Sequence, residues 1–187
     1  GRLAEFDRVN DLFHRRKTSE DDHLRDLANL AAGCRLEEVQ SILADTPKIR
    51  GIAETVQSLH DRGSRVALLT HNPEYVCEWY RNRYGFDDFE GTVTGQLADG
   101  FISRAVAVKA DKLRGVERLL ARADALPRQA AHVGDSWADA LVFPTVGGGV
   151  ALNSRLPEVR RAADLALELA DLVEIVPALA TLRPRTV

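Results

Sequence analysis

Two carboxylates stand four residues apart behind an apolar run, in His132-Val133-Gly134-Asp135-Ser136-Trp137-Ala138-Asp139. Val133-Gly134-Asp135 reads as strand, tight turn and acid. Asp139 falls one helical turn later, so both side chains can face one cleft. A carboxylate pair at a strand end makes a hard oxygen site suited to Mg²⁺. The same spacing also allows a plainer arrangement, in which Asp135 caps the next helix and Asp139 is solvated. Earlier in the chain, Thr70-His71-Asn72 follows the apolar run 66–69 and precedes Pro73. A hydroxyl and the backbone N–H groups of a helix start can cradle phosphate, or form an ordinary N-cap. Lys109 closes the apolar run 105–108 and opens a helical pattern. A lysine there can neutralise phosphoryl charge as a point cation, although solvation at the surface is the commoner fate of a lysine.

The elements that position these residues can be read from periodicity. Residues 1 to about 45 are helical throughout: Leu3, Phe6, Val9 and Phe13 share one face, then Leu24, Leu27, Leu30 and Ala31, then Leu36, Val39, Ile42 and Leu43. Ser19 is placed to cap the second of these helices, and Gly33 to end it. From residue 49 the pattern alternates. A helix over 49–59 precedes a strand at 66–70, and Pro73 opens a helix that ends near Gly85. Strands at 92–94 and 105–108 flank the turn signal Asp99-Gly100. A helix over 109–123, strands at 130–133 and 149–152, and two closing helical stretches complete the chain. Alternating helix and strand imply an α/β domain with a mostly parallel sheet. Ligands in such sheets bind at the carboxyl ends of the strands, which is where Thr70, Lys109 and Asp135 fall.

The composition excludes other classes. Of 187 residues, 45% are hydrophobic and 28% charged, with a net charge of −3. That balance gives no pull toward nucleic acid or anionic membrane. No apolar run approaches a membrane span, and no signal-peptide pattern opens the chain. Cys34 and Cys77 form neither a metal-ligand nor a disulfide spacing, and are expected as reduced thiols in the cytoplasm. There is no Gly-x-Gly-x-x-Gly run, so a generic nucleotide-binding domain is disfavoured. The chain begins Gly-Arg-Leu and contains no methionine, so a processed product or a fragment is expected.

A hydroxyl after one strand, a lysine at a helix start and Gly-Asp-x-x-x-Asp after a third strand, in that order, resemble the haloacid-dehalogenase superfamily. Leu68-Leu69-Thr70 looks like its second motif, Lys109-Ala-Asp-Lys-Leu113 its third and His132-Val-Gly-Asp135-Ser-Trp-Ala-Asp139 its fourth. Gly149-Val-Ala-Leu-Asn153 and the Ala-Ala-Asp stretch at 162–164 fit its tail. Tyr84-Gly-Phe-Asp-Asp-Phe and Asp99-Gly100 resemble the phosphoserine-phosphatase branch between the second and third motifs. The resemblance implies a three-layer, Rossmann-like, mostly parallel sheet, with a small helical cap over 1–48 and a phosphohydrolase core over 49–187. It implies a Mg²⁺-dependent phosphomonoesterase that works through an aspartyl-phosphate on a small phosphorylated metabolite. Asp135 would hold the metal, and Thr70, His71, Asn72 and Lys109 would bind substrate. Thr70, Lys109 and Asp139 would act in catalysis, Asp139 orienting the lysine or a metal-bound water. Lys112 competes with Lys109; Lys109 is preferred because Leu113 and Val116 then fall at i+4 and i+7.

Two departures matter. Thr70-His71-Asn72 stands where phosphoserine phosphatases usually carry Ser-Gly-Gly, which leaves open a different phosphomonoester as substrate. The family's nucleophilic Asp-x-Asp is expected ahead of Gly1, on an apolar strand. The nearest imitation, Asp88-Phe-Glu-Gly-Thr92, has no apolar strand leading into it. A non-catalytic member that has lost the nucleophile is the remaining alternative. Arg8, Arg15, Arg16 and Arg25 are open to two roles, reading a substrate's anionic groups or lying on a solvated helix face.

Overall fold

The computed structural model describes residues 2–15, 17–96, 99–108, 111–183 and 185. Nine helices occur among the described residues: α1 (Arg2–His14), α2 (Glu20–Asn29), α3 (Leu36–Asp45), α4 (Ile52–His60), α5 (Glu74–Tyr84), α6 (Lys112–Ala123), α7 (Trp137–Val142), α8 (Pro157–Ala162) and α9 (Ile175–Leu179). The strands are β1 (Ala67–Pro73), β2 (Asp88–Gln96), β3 (Ile102–Ala107), β4 (Ala131–Gly134), β5 (Gly148–Leu152) and β6 (Leu165–Leu167). They form two three-stranded sheets, ordered β1-β2-β3 and β4-β5-β6. The chain divides into two compact units. One holds Gly1–Pro47, Leu68–Arg83 and Phe89–Ala110; the other holds Lys48–Ala67, Tyr84–Asp88 and Asp111–Val187.

In the first unit, the helical segment packs against β3. The Ser19 hydroxyl caps α2 by accepting from the Asp22 N–H at 3.1 Å, as its residue type predicts. The chain leaves the helices through Gly33, at φ +77°. The Gly33 N–H donates to the Ile102 carbonyl, and the Ile102 N–H donates to the Cys34 carbonyl. Asn29 Oδ1 accepts from the Ala105 N–H at 2.7 Å. β2 and β3 run antiparallel, with Gly100 at φ +86° in the connection, as the Asp-Gly signal requires. Arg8, Arg15 and Arg25 pair with Glu5, Asp11 and Asp22 of the same chain segments, all solvent-exposed. These three therefore occupy a solvated helix face; Arg16 lies outside the described residues.

The second unit contains the parallel sheet. Val133 faces Val150 in register between β4 and β5, and Val150 faces Leu165 between β5 and β6. Successive residues of a strand point to opposite faces, and β5 is buried on both. Val150 packs with Ile175 and Val176 on one face, and Ala151 with Phe143 and Val159 on the other. Helices therefore cover both sides of the strand, which is the three-layer arrangement. β4 has β5 as its strand partner among the described residues, and its Val133 remains 36% exposed. The last strand, β6, lies where the sequence pattern suggests helix. Three residues are too few for an alternation to register against helical periodicity.

Candidate active site

The carboxyl end of β4 carries the chemistry of the second unit. Gly134 ends the strand, Asp135 follows, and Ser136 is the N-cap of α7. Asp139, at the third position of that helix, is only 2% exposed. The plainer sequence reading fails on both counts, since Ser136 is the cap and Asp139 is buried.

Asp139 is held by five donors. Its Oδ2 accepts the Asp135 N–H at 3.1 Å, the Ser136 N–H at 3.0 Å and the Ser136 hydroxyl at 2.6 Å. Its Oδ1 accepts Lys112 Nζ at 2.6 Å and His132 Nε2 at 2.8 Å. A carboxylate offers about four lone-pair sites, so this one has no capacity left for a metal or a substrate. Burial by itself would raise the carboxyl's pKa. The His132 ring, the Lys112 ammonium and the Ser136 hydroxyl outweigh that and hold it well below the usual carboxylate range. Asp139 therefore stays ionised and anchors its neighbours.

Gly134 is required by this geometry for space. A Cβ there would lie 2.1 Å from Asp139 Cγ. The strand-turn-helix thus closes around the carboxylate with no room for a side chain.

Asp135 is arranged differently. Its backbone is fixed on both sides, by its N–H to Asp139 and by the Ser154 hydroxyl donating to its carbonyl at 2.6 Å. The residue itself is exposed. A rigid backbone carrying an open carboxylate is what a hard cation needs from one protein ligand, since Mg²⁺ keeps several waters. No group of three or more metal-ligating side chains occurs among the described residues.

Lys112 is the first residue of α6, and Asp111 caps that helix by accepting from the Arg114 N–H at 3.2 Å. The helix begins three residues later than its periodicity suggests, and the i+4 and i+7 argument for Lys109 fails with it. Lys109 lies outside the described residues. Lys112 reaches the buried carboxylate with its side chain 11% exposed. Sequence spacing offered no means of choosing it, because the contact spans 27 residues. His132 was not singled out by sequence at all.

Thr70, His71 and Asn72 lie in the first unit, at the end of β1. Thr70 Oγ1 accepts the Asn72 N–H at 3.1 Å and the Asn72 amide at 3.0 Å. Those bonds occupy its lone pairs and leave the hydroxyl proton to donate elsewhere. The Thr92 hydroxyl donates to the His71 carbonyl at 2.9 Å. Gly91 lets the strands approach, since a Cβ there would lie 2.7 Å from the Asn72 carbonyl oxygen. The imitation motif Asp88-Phe-Glu-Gly-Thr92 is part of β2, with Glu90 and Thr92 buried.

Comparison with known proteins agrees with these observations. Residues 2–143 match the family described as haloacid dehalogenase-like hydrolase. A phosphoserine phosphatase of Archaeoglobus fulgidus is 26% identical over 136 residues, covering 71% of this chain and 39% of the relative. The chain thus matches well under half the length of that curated relative. Among solved structures, a phospho-aspartyl intermediate analogue of phosphoserine phosphatase superposes with a TM-score of 0.73 at 20% identity, covering 94% of this chain and 85% of the other. A probable phosphoserine phosphatase from Vibrio cholerae, in unliganded form, superposes with a TM-score of 0.81 at 19% identity, covering 95% and 55%. These likenesses establish the fold. No described helix is long and apolar enough to cross a membrane.

Proposed function

The chain belongs to the haloacid dehalogenase-like hydrolases, and from that premise we propose that it forms most of a Mg²⁺-dependent phosphomonoesterase of the phosphoserine-phosphatase kind. The observation that carries this reading is the Lys112–Asp139–Asp135 arrangement at the carboxyl end of a parallel strand. It combines a buried ammonium fixed by a buried carboxylate with an open carboxylate one turn away.

These geometries support the following residue roles. Asp135 would hold Mg²⁺, which when bound supplies positive charge beside the phosphoryl oxygens. Lys112 takes the role of the motif lysine and neutralises phosphoryl charge, and Asp139 positions it. Thr70 donates its hydroxyl proton to a phosphoryl oxygen, with His71 and Asn72 beside it as substrate contacts. In phosphoryl transfer, positioning and charge stabilisation supply most of the catalysis.

The nucleophile of such a reaction is an aspartate other than Asp135 and Asp139. Its carboxylate oxygen bonds to phosphorus as the ester P–O bond breaks. A second carboxylic acid gives its proton to the departing alkoxide, and water then releases phosphate from the acyl phosphate. Cys34 and Cys77, neither of them in a disulfide, suit a reducing compartment, and the cytoplasm is the proposed location.

The substrate is a small phosphorylated metabolite. His71-Asn72, in place of a glycine pair, favours a phosphomonoester other than phosphoserine, because the bulkier residues hold substrate and backbone further apart. The test is turnover by the full-length protein on a panel of phosphomonoesters that includes phosphoserine, with Mg²⁺ and with a chelator. Chelator-sensitive phosphate release is expected on at least one member. Release from none, by folded protein with Mg²⁺, refutes the reading.

A further inference from the structure

His132 belongs to the Asp139 cluster, yet the proposed reaction gives it no task. It sits in β4, with its side chain 11% exposed. Its ring lies 5.8 Å from that of Phe143, which is fully buried. Its register partner on β5 is Gly149, where a Cβ would lie 2.6 Å from Phe143 Cβ. The missing side chain at 149 thus lets Phe143 press onto the sheet beside the imidazole. The ring is located by a strand and a buried phenyl, both rigid supports.

Lys112 is held differently. Its ammonium ends a flexible four-carbon stem, and its recorded anchor is Asp139 Oδ1. What fixes that oxygen therefore fixes the ammonium. Three donors from the 135–136 turn hold Oδ2. The two oxygens turn together about the Cβ–Cγ bond, so these donors also place Oδ1, but they leave open which of its lone-pair directions the ammonium takes. His132 Nε2, 2.8 Å from Oδ1, fills one of those directions and leaves Lys112 the other. Asp139 is an ionised carboxylate and can only accept, so His132 must donate, with its proton on Nε2.

We propose that His132 is a positioning residue: its Nε2–H occupies one side of Asp139 Oδ1 and thereby sets where Lys112 presents its ammonium to the phosphoryl group. This rests on the phosphatase reading of the site. Without that donor, Lys112 can take either direction on Oδ1, and the ammonium moves away from the reacting centre. Misplacement of a catalytic group by about 1 Å can cost ~10²-fold. The partial retreat expected here lowers kcat by about 10-fold, with KM within about 2-fold.

The test compares His132→Leu, which has no donor, with His132→Gln, which retains an N–H of similar reach, in the full-length protein. Two readouts are taken: phosphomonoester kinetics, and the Lys112 Nζ resonance in protein labelled with ¹⁵N-lysine. The Leu variant should lose about 10-fold in kcat and shift or broaden that resonance. The Gln variant should recover kcat to within about 3-fold and keep the wild-type resonance. Should the Leu variant fail to fold, His132→Asn, whose amide is too short to reach Oδ1, takes its place with the same expectation. Wild-type kcat and resonance in the donor-less variant overturn the proposal. So does a folded Gln variant as impaired as the donor-less one. A wild-type protein that hydrolyses no phosphomonoester refutes the phosphatase reading alone, and the resonance comparison still decides the role of His132.

Discussion

Replacing Asp139 by asparagine tests the core of the site with one atom exchanged. The wild-type carboxylate faces donors on both oxygens: Lys112 and His132 on one side, two backbone N–H groups and a hydroxyl on the other. An amide can accept on one side only. With its NH₂ toward Lys112 and His132, it opposes two donors and leaves a largely buried ammonium without its counter-charge. Breaking a buried pair in this way costs about 3–5 kcal/mol. With its NH₂ toward the 135–136 turn, it strands two backbone N–H groups, each worth about 1–3 kcal/mol when left unsatisfied. Either orientation costs roughly 3–5 kcal/mol, a large share of a domain's ~5–15 kcal/mol. The penalty should also depend on pH. The folded carboxyl titrates below its unfolded value of about 3.9. Its stabilising contribution is therefore complete above about pH 4 and declines as pH falls further, through the folded pKa. Urea unfolding of wild type and Asp139→Asn across pH 3 to 7 checks this. The gap between them should be constant from about pH 5 upward and narrow below about pH 4. A gap under about 1 kcal/mol at neutral pH, or one that widens on acidification, would refute the reasoning.

Three further outcomes are expected. Lys112→Ala in the full-length enzyme should lower phosphatase turnover at least ~10²-fold, while Lys109→Ala keeps most of it; steady-state kinetics decide, and the reverse result returns the role to Lys109. Asp135→Asn should cost a similar ~10²-fold and raise the Mg²⁺ concentration needed for half-maximal activity, read by metal titration, with little change in the urea midpoint because the side chain is exposed. Gly134→Ala should lower stability by about 1–3 kcal/mol as the added Cβ forces Asp139 aside; a thermal midpoint equal to wild type would show that the carboxylate moves freely.

Much of the architecture was legible from the chain alone, because it is encoded over short distances. Ser19 capping α2, the Gly100 turn between β2 and β3, and the buried apolar run of β5 all follow from residues within one or two turns of each other. So does the turn at 135–136 that closes on Asp139, within one strand-turn-helix. What failed was also local in cause. Three residues of β6 were too short to announce a strand, and Asp111 moved the start of α6 to Lys112 against the apolar periodicity. The contents of the site required tertiary structure. Lys112 and His132 meet on one oxygen of Asp139 from 27 and 7 residues away. That Lys112 reaches Asp139 depends on how α6 and α7 sit against β4. Periodicity can say that a side chain faces inward, but which buried charge it meets is settled only when packing removes the water that would otherwise solvate both.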